Sequence, residues 1–233
     1  MKQVKFSDLA LSQDVQSAID DMGFAEATPI QSEAIPHLLK GHDLIGQAQT
    51  GTGKTAAFGI PLLESIDCET REVAAIVLCP TRELAIQVAE ELRKLAKYKK
   101  SLRISTIYGG DSIQRQLKEL KAGPQVVVGT PGRVMDHLQR KTLRLDHIQM
   151  AVLDEADEML NMGFREDIEN VLNQMPETRQ TVLFSATMPR PILEIAKRFQ
   201  KNPIHVKVVK EELTNASIDQ IYYDIPVQAK EAV

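Results

Sequence analysis

Seven short apolar runs, rich in β-branched residues, recur along the chain with longer amphipathic segments between them. Runs of this length and composition are typical of buried strands in a parallel sheet. Apolar residues spaced three and four apart predict helices between them, for example over 82–96 and 111–121. We therefore predict an α/β fold with a doubly wound, mostly parallel sheet flanked by helices. The predicted strands are 43–48, 74–79, 103–109, 125–129, 150–154, 181–185 and 204–208.

The same pattern divides the 233 residues into three parts. Residues 1–40 form a helical flank, residues 41–210 form one domain with all seven strands, and residues 211–233 are typical of a linker. In doubly wound sheets, ligands bind beyond the carboxyl ends of the strands. Because several polar motifs begin where apolar runs stop, we expect the functional site at that edge of the sheet.

Charge and cysteine content narrow the possible functions. The formal net charge is −4, so contacts with nucleic-acid phosphates would have to come from a few locally placed cations. Neither Cys68 nor Cys79 has metal-ligand spacing around it, which predicts a reducing compartment and no structural metal. The N-terminus lacks the apolar region of a secretory signal, and no apolar stretch is long enough to cross a bilayer. These features predict a cytoplasmic protein without a membrane partner.

A glycine-rich turn connects the first predicted strand to a helix. Backbone N–H groups in such a turn bind phosphates, Lys54 can reach β- and γ-phosphates, and the Thr55 hydroxyl can bind Mg²⁺. Ala48 stands where the general pattern G-x-x-x-x-G-K-[ST] has its first glycine, and the structural alternative is an ordinary turn beside an isolated lysine. The predicted nucleotide-binding residues in this turn are Ala48, Gln49, Thr50, Gly51, Thr52, Gly53, Lys54 and Thr55.

Two carboxylates follow the buried strand 150–154. Asp154 at its end would hold Mg²⁺ directly or through water, and Glu155 could orient and deprotonate an attacking water. The alternative is an acidic first helical turn, which is common because carboxylates favour helix N-termini. The glycine-rich turn makes the catalytic interpretation the stronger one, so Lys54, Asp154 and Glu155 are the predicted catalytic residues.

The motifs and their order resemble the DEAD-box RNA helicase family over roughly residues 6–230. Asp154-Glu155-Ala156-Asp157 is the tetrapeptide that names the family. Ala27 stands where the family commonly has proline, next to a segment similar to the Q motif. The matching segments are Gly23-Phe24 with Thr28-Pro29-Ile30-Gln31 (Q motif), Ala48 to Thr55 (motif I), Pro80 to Ala85 (motif Ia), the pair Gly109-Gly110, Thr130-Pro131-Gly132-Arg133 (motif Ib) and Ser185-Ala186-Thr187 (motif III).

The resemblance implies the first RecA-like, P-loop lobe of an ATP-dependent RNA helicase, an RNA-stimulated ATPase that uses ATP and Mg²⁺. It also implies that Thr28 and Gln31 bind the nucleotide, with Gln31 hydrogen bonding to adenine and Phe24 stacking on the base. Helix capping and core packing offer alternative structural roles for these three residues. Thr28 and Gln31 fit a helix capping box, and Phe24 fits a core aromatic.

The resemblance also implies a groove for single-stranded or locally duplex RNA. The residue types suit contacts with the sugar-phosphate backbone and do not read bases. Seen alone, the glycine pair would be an ordinary turn and Thr130 the cap of a helix. The preference for RNA over DNA rests on the resemblance alone. The implied RNA-binding residues are Pro80, Thr81, Arg82, Gly109, Gly110, Thr130, Gly132 and Arg133.

In the family, motif III links nucleotide state to strand separation. Ser185 and Thr187 have no neighbouring base that would make them nucleophiles, and their hydroxyls suit hydrogen bonds to Asp157. The alternative is that these hydroxyls only satisfy local backbone groups.

The arginine fingers that the family carries in a second lobe have no matching motif here, so we expect a piece of a longer helicase that is nearly inactive alone. A binding module without turnover and a P-loop motor acting on DNA are the other hypotheses.

Overall fold

The computed structural model describes residues 4–208, and its centre is one seven-stranded sheet. All strand pairs are parallel, and the order across the sheet is β3-β4-β2-β5-β6-β1-β7. The fold class predicted from the sequence is confirmed, and all seven predicted strands are present within a residue or two. The strands are β1 (Leu44–Gln47), β2 (Ala75–Leu78), β3 (Ile104–Ile107), β4 (Val126–Gly129), β5 (Met150–Leu153), β6 (Gln180–Ser185) and β7 (Ile204–Lys207).

Helices cover both faces of this sheet. Apolar residues of α1 to α4 pack on one face, and those of α6 to α9 pack on the other. The predicted helix over 82–96 is confirmed as α4, whereas the one predicted over 111–121 begins two residues later, as α5. The helices are α1 (Gln13–Asp21), α2 (Pro29–Leu38), α3 (Lys54–Ser65), α4 (Arg82–Leu95), α5 (Ile113–Lys121), α6 (Pro131–Gln139), α7 (Ala156–Asn161), α8 (Arg165–Asn173) and α9 (Arg190–Phe199), preceded by a short 3₁₀ turn at Phe6–Asp8.

Strands β2, β4 and β5 are apolar throughout because both faces of the sheet are buried there. Along β2, Val77 faces the α1–α4 layer, and its neighbours Ile76 and Leu78 face the α6–α9 layer. Gly46 in β1 is required by packing, since a Cβ at this position would overlap the ring of Phe184 on the adjacent strand. Successive residues of a strand thus contribute to two apolar layers, one on each face of the sheet.

The buried side chain of Asp43 and the partly buried side chain of Gln180 fix the amino ends of β1 and β6. Asp43 accepts hydrogen bonds from the backbone N–H of Thr181 at 2.7 Å and of Lys201 at 2.6 Å. Gln180 donates to the carbonyl oxygens of Leu38 and His42. These bonds attach α2 and the segment before β7 to one end of the sheet and leave the opposite end for the loops.

The predicted linker at 211–233 lies outside the described residues. Within residues 4–208, no helix is both long and apolar enough to cross a membrane. The helical flank predicted over 1–40 contains α1 and α2, and α2 packs against α3.

Candidate nucleotide site and nucleic-acid groove

Most of the predicted site residues lie at the carboxyl ends of six adjacent strands, whereas Phe24, Thr28 and Gln31 precede the sheet in the chain. In the order β5-β6-β1, these ends lead into Asp154-Glu155, Ser185-Ala186-Thr187 and the glycine-rich turn. In the order β3-β4-β2, they lead into Gly109-Gly110, Thr130 and Thr81. The loops after β5, β6 and β1 thus carry the residues predicted for nucleotide binding, catalysis and coupling. The loops after β3, β4 and β2 carry the residues predicted to bind RNA.

The ammonium group of Lys54 is buried beside both carboxylates. Its side chain is 6% exposed, and Nζ lies 3.8 Å from Oδ1 of Asp154 and 4.0 Å from Oε1 of Glu155. Nζ has no hydrogen-bond partner in the protein. A buried ammonium group with three unused N–H donors is costly unless an anion fills its coordination, so Lys54 is suited to bind a phosphate oxygen.

Asp154 and Glu155 have different surroundings. Burial raises the pKa of Asp154 to about 6, against the opposing effect of the Lys54 ammonium. Its Oδ1 accepts a hydrogen bond from the N–H of Glu155 at 3.0 Å. Glu155 has a left-handed backbone (φ 52°, ψ 51°), which is uncommon for a side chain other than glycine and costs of order 1–3 kcal/mol. This sharp turn ends the strand and starts α7, and the Glu155 side chain stays partly exposed beside Lys54.

The first turn of α2 holds the glycine-rich turn in place. The Thr28 hydroxyl donates to the carbonyl of Thr52 at 2.9 Å, and the Gln31 amide donates to the carbonyl of Gly53 at 3.0 Å. Gln31 also accepts from the Thr28 backbone N–H at 2.9 Å, which confirms the capping interaction. Gly53 has φ 89°, and a Cβ there would collide with the Gln31 amide. The loop thus requires glycine at this position for both conformation and space.

Phe24 and Gln31 differ in how far they are available to a base. Phe24 is half-buried, and its ring stacks on Phe6 with centroids 6.3 Å apart. Gln31 is 4% exposed, and both ends of its amide are engaged by the protein. The core interpretation of Phe24 and the capping interpretation of Gln31 are thus present in this structure, and adenine recognition by these residues stays a prediction.

Glu91 on α4 is a site residue that the sequence reasoning missed. Burial raises the pKa of Glu91, while a hydrogen bond from the Thr55 hydroxyl lowers it. Glu91 is therefore close to the Thr55 hydroxyl, which is one of the predicted Mg²⁺ ligands. Glu91 occupies an amphipathic helix rich in charged residues, so nothing in the pattern separates it from a solvated glutamate.

The oxygen donors suit Mg²⁺. Magnesium typically takes one or two protein oxygens and completes its shell with water and phosphate oxygens. Thr55 and Asp154 supply one hydroxyl and one buried carboxylate beside the phosphate-binding turn. In the part of the chain that the structure describes, no group of three or more His, Cys, Asp or Glu residues could hold a metal ion, this edge of the sheet included.

The predicted contact between motif III and Asp157 is present through Thr187. Both the backbone N–H and the hydroxyl of Thr187 donate to Oδ2 of Asp157, at 2.9 and 2.8 Å. Burial alone would raise the pKa of Asp157, but hydrogen bonds from Thr187 and from the Ser185 side chain outweigh it and hold the pKa below its ordinary value. The Ser185 hydroxyl also has a partner that was not predicted, since it donates to the carbonyl of Thr187 at 2.6 Å. Ser185 is fully buried, so it shapes the loop that carries Thr187.

The second half of the edge forms the candidate nucleic-acid groove. Thr81 caps α4 by accepting a hydrogen bond from the Leu84 N–H at 3.2 Å, which leaves its hydroxyl proton free to donate. Gly109, Gly110 and Gly132 are exposed, whereas Pro80 is buried and supports the turn from below. The guanidinium of Arg82 lies 5.1 Å from the centroid of the Tyr108 ring and close to Gly110.

The N-termini of two helices open at this groove. Helix α4 begins after Thr81, and α6 begins after Thr130 with Pro131 at its first position. Helix N-termini carry unpaired N–H groups and a partial positive charge. Together with the exposed glycines and arginines, they provide the local positive potential that the acidic chain as a whole lacks.

Comparisons with known proteins agree with this geometry. The family described as DEAD/DEAH box helicase matches residues 28–195. The DEAD-box ATP-dependent RNA helicase CshA of Bacillus cereus is 57% identical over 225 residues, which is 97% of this chain and 43% of that protein. The ATP-dependent RNA helicase CshA of Listeria monocytogenes is 54% identical, again over 97% of this chain and 43% of its own length. This chain therefore spans less than half the length of these relatives.

Solved structures give the same result. A DEAD box protein from Methanococcus jannaschii superposes with a TM-score of 0.84 and 46% identity, covering 88% of this chain and 56% of that one. A hypothetical ATP-dependent RNA helicase from Sulfolobus tokodaii gives a TM-score of 0.78 and 35% identity, covering 85% and 57%. By sequence, fold and motif order, this chain belongs to the DEAD/DEAH box helicase family.

Proposed function

We propose that this chain is the ATP- and RNA-binding lobe of an ATP-dependent RNA helicase that couples ATP binding and hydrolysis to local unwinding of RNA duplexes or remodelling of RNA–protein complexes. The observation that carries the proposal is the division of one sheet edge into a phosphate-binding half and a nucleic-acid half. The two halves meet at the adjacent strands β2 and β5.

In the phosphate-binding half, the glycine-rich turn and the N-terminus of α3 bind the triphosphate, and Lys54 neutralises its β- and γ-phosphates. Thr55 and Asp154 hold Mg²⁺, with Glu91 orienting the Thr55 hydroxyl. Bound Mg²⁺ would offset the charge on the phosphates. Glu155, which keeps some solvent access, accepts the proton of the attacking water.

In the nucleic-acid half, Thr81, Arg82, Gly109, Gly110, Thr130, Gly132 and Arg133 bind the sugar-phosphate backbone of one RNA strand. Hydroxyl, guanidinium and backbone N–H donors suit phosphate oxygens, and none of them is placed by its chemistry to read a base. The preference for RNA is taken from the named relatives. Cytoplasmic location, predicted from the sequence, is part of the same proposal.

The catalytic cycle requires more protein than this chain. Phosphoryl transfer usually requires a cation at the γ-phosphate in the transition state, and an arginine finger contributes about 10³–10⁵-fold to the rate. We propose that a second RecA-like domain in the remaining length of the parent protein supplies it. The chain alone should then bind nucleotide but turn it over very slowly.

The first test is a titration of the chain with a fluorescent adenine nucleotide and Mg²⁺, in competition with ATP, ADP and GTP. Phosphate release is followed in the same samples, with and without single-stranded RNA. We expect adenine-selective binding and almost no turnover. Lys54→Ala should abolish nucleotide binding. Lys100→Ala, the same change at an exposed lysine between α4 and β3, should leave nucleotide binding unchanged.

Three results would contradict the proposal. Equal affinity of the wild-type chain and the Lys54→Ala variant for the nucleotide would refute the assignment of the phosphate site. Vigorous RNA-stimulated hydrolysis by the chain alone would show that the complete catalytic machinery lies within these residues. Equal binding of single-stranded DNA and RNA of the same length would favour the DNA-motor hypothesis.

A further inference from the structure

A fully buried amide lies beneath the candidate nucleic-acid groove. Gln116 on α5 is 0% exposed, and its Nε2 donates to the carbonyl oxygen of Tyr108 at 3.0 Å and faces Oδ2 of Asp111 at 3.4 Å. Its Oε1 accepts from Nη1 of Arg133 at 3.4 Å and lies 3.1 Å from Nε2 of His137. This one amide therefore joins the segment 108–111, which contains Gly109-Gly110, to helix α6.

The orientation of the amide follows from its partners. The Tyr108 carbonyl can only accept a hydrogen bond, so the NH₂ group of Gln116 must face it and Oε1 must face α6. His137 then donates from Nε2, and its Nδ1 lies 2.8 Å from Oγ1 of Thr142, whose hydroxyl also donates to the His137 carbonyl at 3.1 Å. His137 is also fully buried. Each polar atom of the pair is satisfied, so the pair holds its segments in one arrangement.

The two segments joined by this amide both carry groups that face phosphate in the proposed function. Gly110 has φ 78°, a left-handed conformation that fixes the direction of the turn. The Arg133 side chain is 17% exposed and has only distant ionic contact with Asp136, at 4.0 Å. The spacing between the glycine turn and the Arg133 guanidinium is therefore set from below by Gln116, rather than by a strong ion pair on the surface.

We propose that Gln116 and His137 are positioning residues for RNA binding, which fix the Arg133 guanidinium relative to the Gly109-Gly110 turn so that both contact the phosphates of one strand. This inference rests on the proposed function. Neither side chain touches RNA, because both are fully buried. Their effect on binding passes through Arg133, and this dependence makes the inference testable.

The test compares Gln116→Leu with Gln114→Leu, which makes the same change at an exposed position of the same helix. Binding of a fluorescent uridine decamer to the chain is measured by anisotropy at several salt concentrations, together with adenine-nucleotide affinity. We expect Gln116→Leu to weaken RNA binding about tenfold, the size expected for one charge-assisted contact. The slope of log K against log salt should fall by about 0.7, as for one lost phosphate contact on a single strand. Nucleotide affinity and the Gln114→Leu variant should be unchanged.

A double-mutant cycle with Arg133→Gln separates positioning from general destabilisation. If Gln116 acts through Arg133, Gln116→Leu should have no further effect on RNA affinity once Arg133→Gln is present. Additive losses in the cycle would overturn the inference, and so would equal losses of RNA and nucleotide affinity. Wild-type affinity and salt slope in Gln116→Leu would overturn it as well, whereas failure of the wild-type chain to bind RNA would refute the proposed function itself.

His137 provides an independent variant if Gln116→Leu does not fold. His137→Gln keeps a side-chain N–H that can donate to Gln116, and His137→Leu does not. We expect the leucine variant to lose RNA affinity and salt slope as Gln116→Leu does, and the glutamine variant to recover most of both. Equal RNA binding by the two variants would overturn the inference.

Discussion

Gln31→Glu tests whether the helix that precedes the sheet holds the phosphate-binding turn. The substitution keeps an oxygen for the Thr28 N–H but replaces the amide donor with a second acceptor, which faces the Gly53 carbonyl where the hydrogen bond now measures 3.0 Å. The lost bond costs about 1 kcal/mol, and two opposed acceptors at a site that is 4% exposed cost about 1–3 kcal/mol more. The free energy of unfolding should therefore fall by about 2–4 kcal/mol.

For a domain of this size, each kcal/mol lowers the midpoint of thermal unfolding by about 2–4 °C, so we expect a decrease of roughly 4–16 °C. Differential scanning calorimetry at pH 7.5 measures it, with Gln114→Glu as the exposed control. The difference in unfolding midpoint between the variant and the wild type should become smaller below about pH 5. There the protonated carboxyl of the introduced glutamate can donate to the Gly53 carbonyl. An unfolding midpoint within about 2 °C of the wild-type value at pH 7.5 would show that Gln31 does not hold the phosphate-binding turn in place.

Three further predictions concern catalysis, coupling and pH. In a chain extended to the full length of its relatives, Glu155→Gln should retain ATP affinity and lose nearly all phosphate release; normal turnover would rule out Glu155 as the base. In the same extended chain, Thr187→Val removes the 2.8 Å hydroxyl bond to Asp157 and should reduce RNA unwinding more than ATP affinity, as a strand-displacement assay can determine. Burial lowers the pKa of His137 below its ordinary value of 6.5, outweighing Asp136, while Arg133 lowers it further. The unfolded chain then binds the proton of His137 more tightly than the folded chain does. The contribution of His137 to the free energy of unfolding should therefore be complete above pH 6.5 and decline as pH falls from 6.5 through the folded-state pKa. Urea unfolding between pH 8 and 5 should show this decline in wild type and a weaker one in His137→Gln.

The sequence was sufficient for the sheet because both of its faces are buried. Uninterrupted apolar runs such as Ala75–Leu78 need no tertiary information to be recognised as parallel strands, and all seven lie where the pattern places them. The order of the strands is not in the pattern. Pairing of β1 with β6, across more than 130 residues, depends on packing that no local window contains.

The candidate site was predictable where function requires a particular residue at a particular spacing. Lys54 and Asp154 follow two strands that prove to be close in the sheet, and their contact could be expected from that. Glu91 and Gln116 were missed for the opposite reason. Each lies on an amphipathic helix, where a glutamate or glutamine is normally solvated. Only the packing of other elements makes Gln116 buried and Glu91 partly buried. Ser185 shows the same limit, since its backbone partner, the Thr187 carbonyl, depends on the geometry of its own loop.

The arrangement of the strands also bears on how nucleotide and RNA could influence each other. The backbone N–H of Asp154, at the start of the turn that carries the proposed catalytic carboxylates, donates to the carbonyl of Leu78 at 2.9 Å. Leu78 ends β2, and Thr81 of the candidate nucleic-acid groove follows three residues later. A shift of the Asp154 backbone on phosphate binding would therefore act directly on the strand end that leads to the groove. Coupling between the two halves then requires no long chain of side chains, because they share a hydrogen bond between adjacent strands.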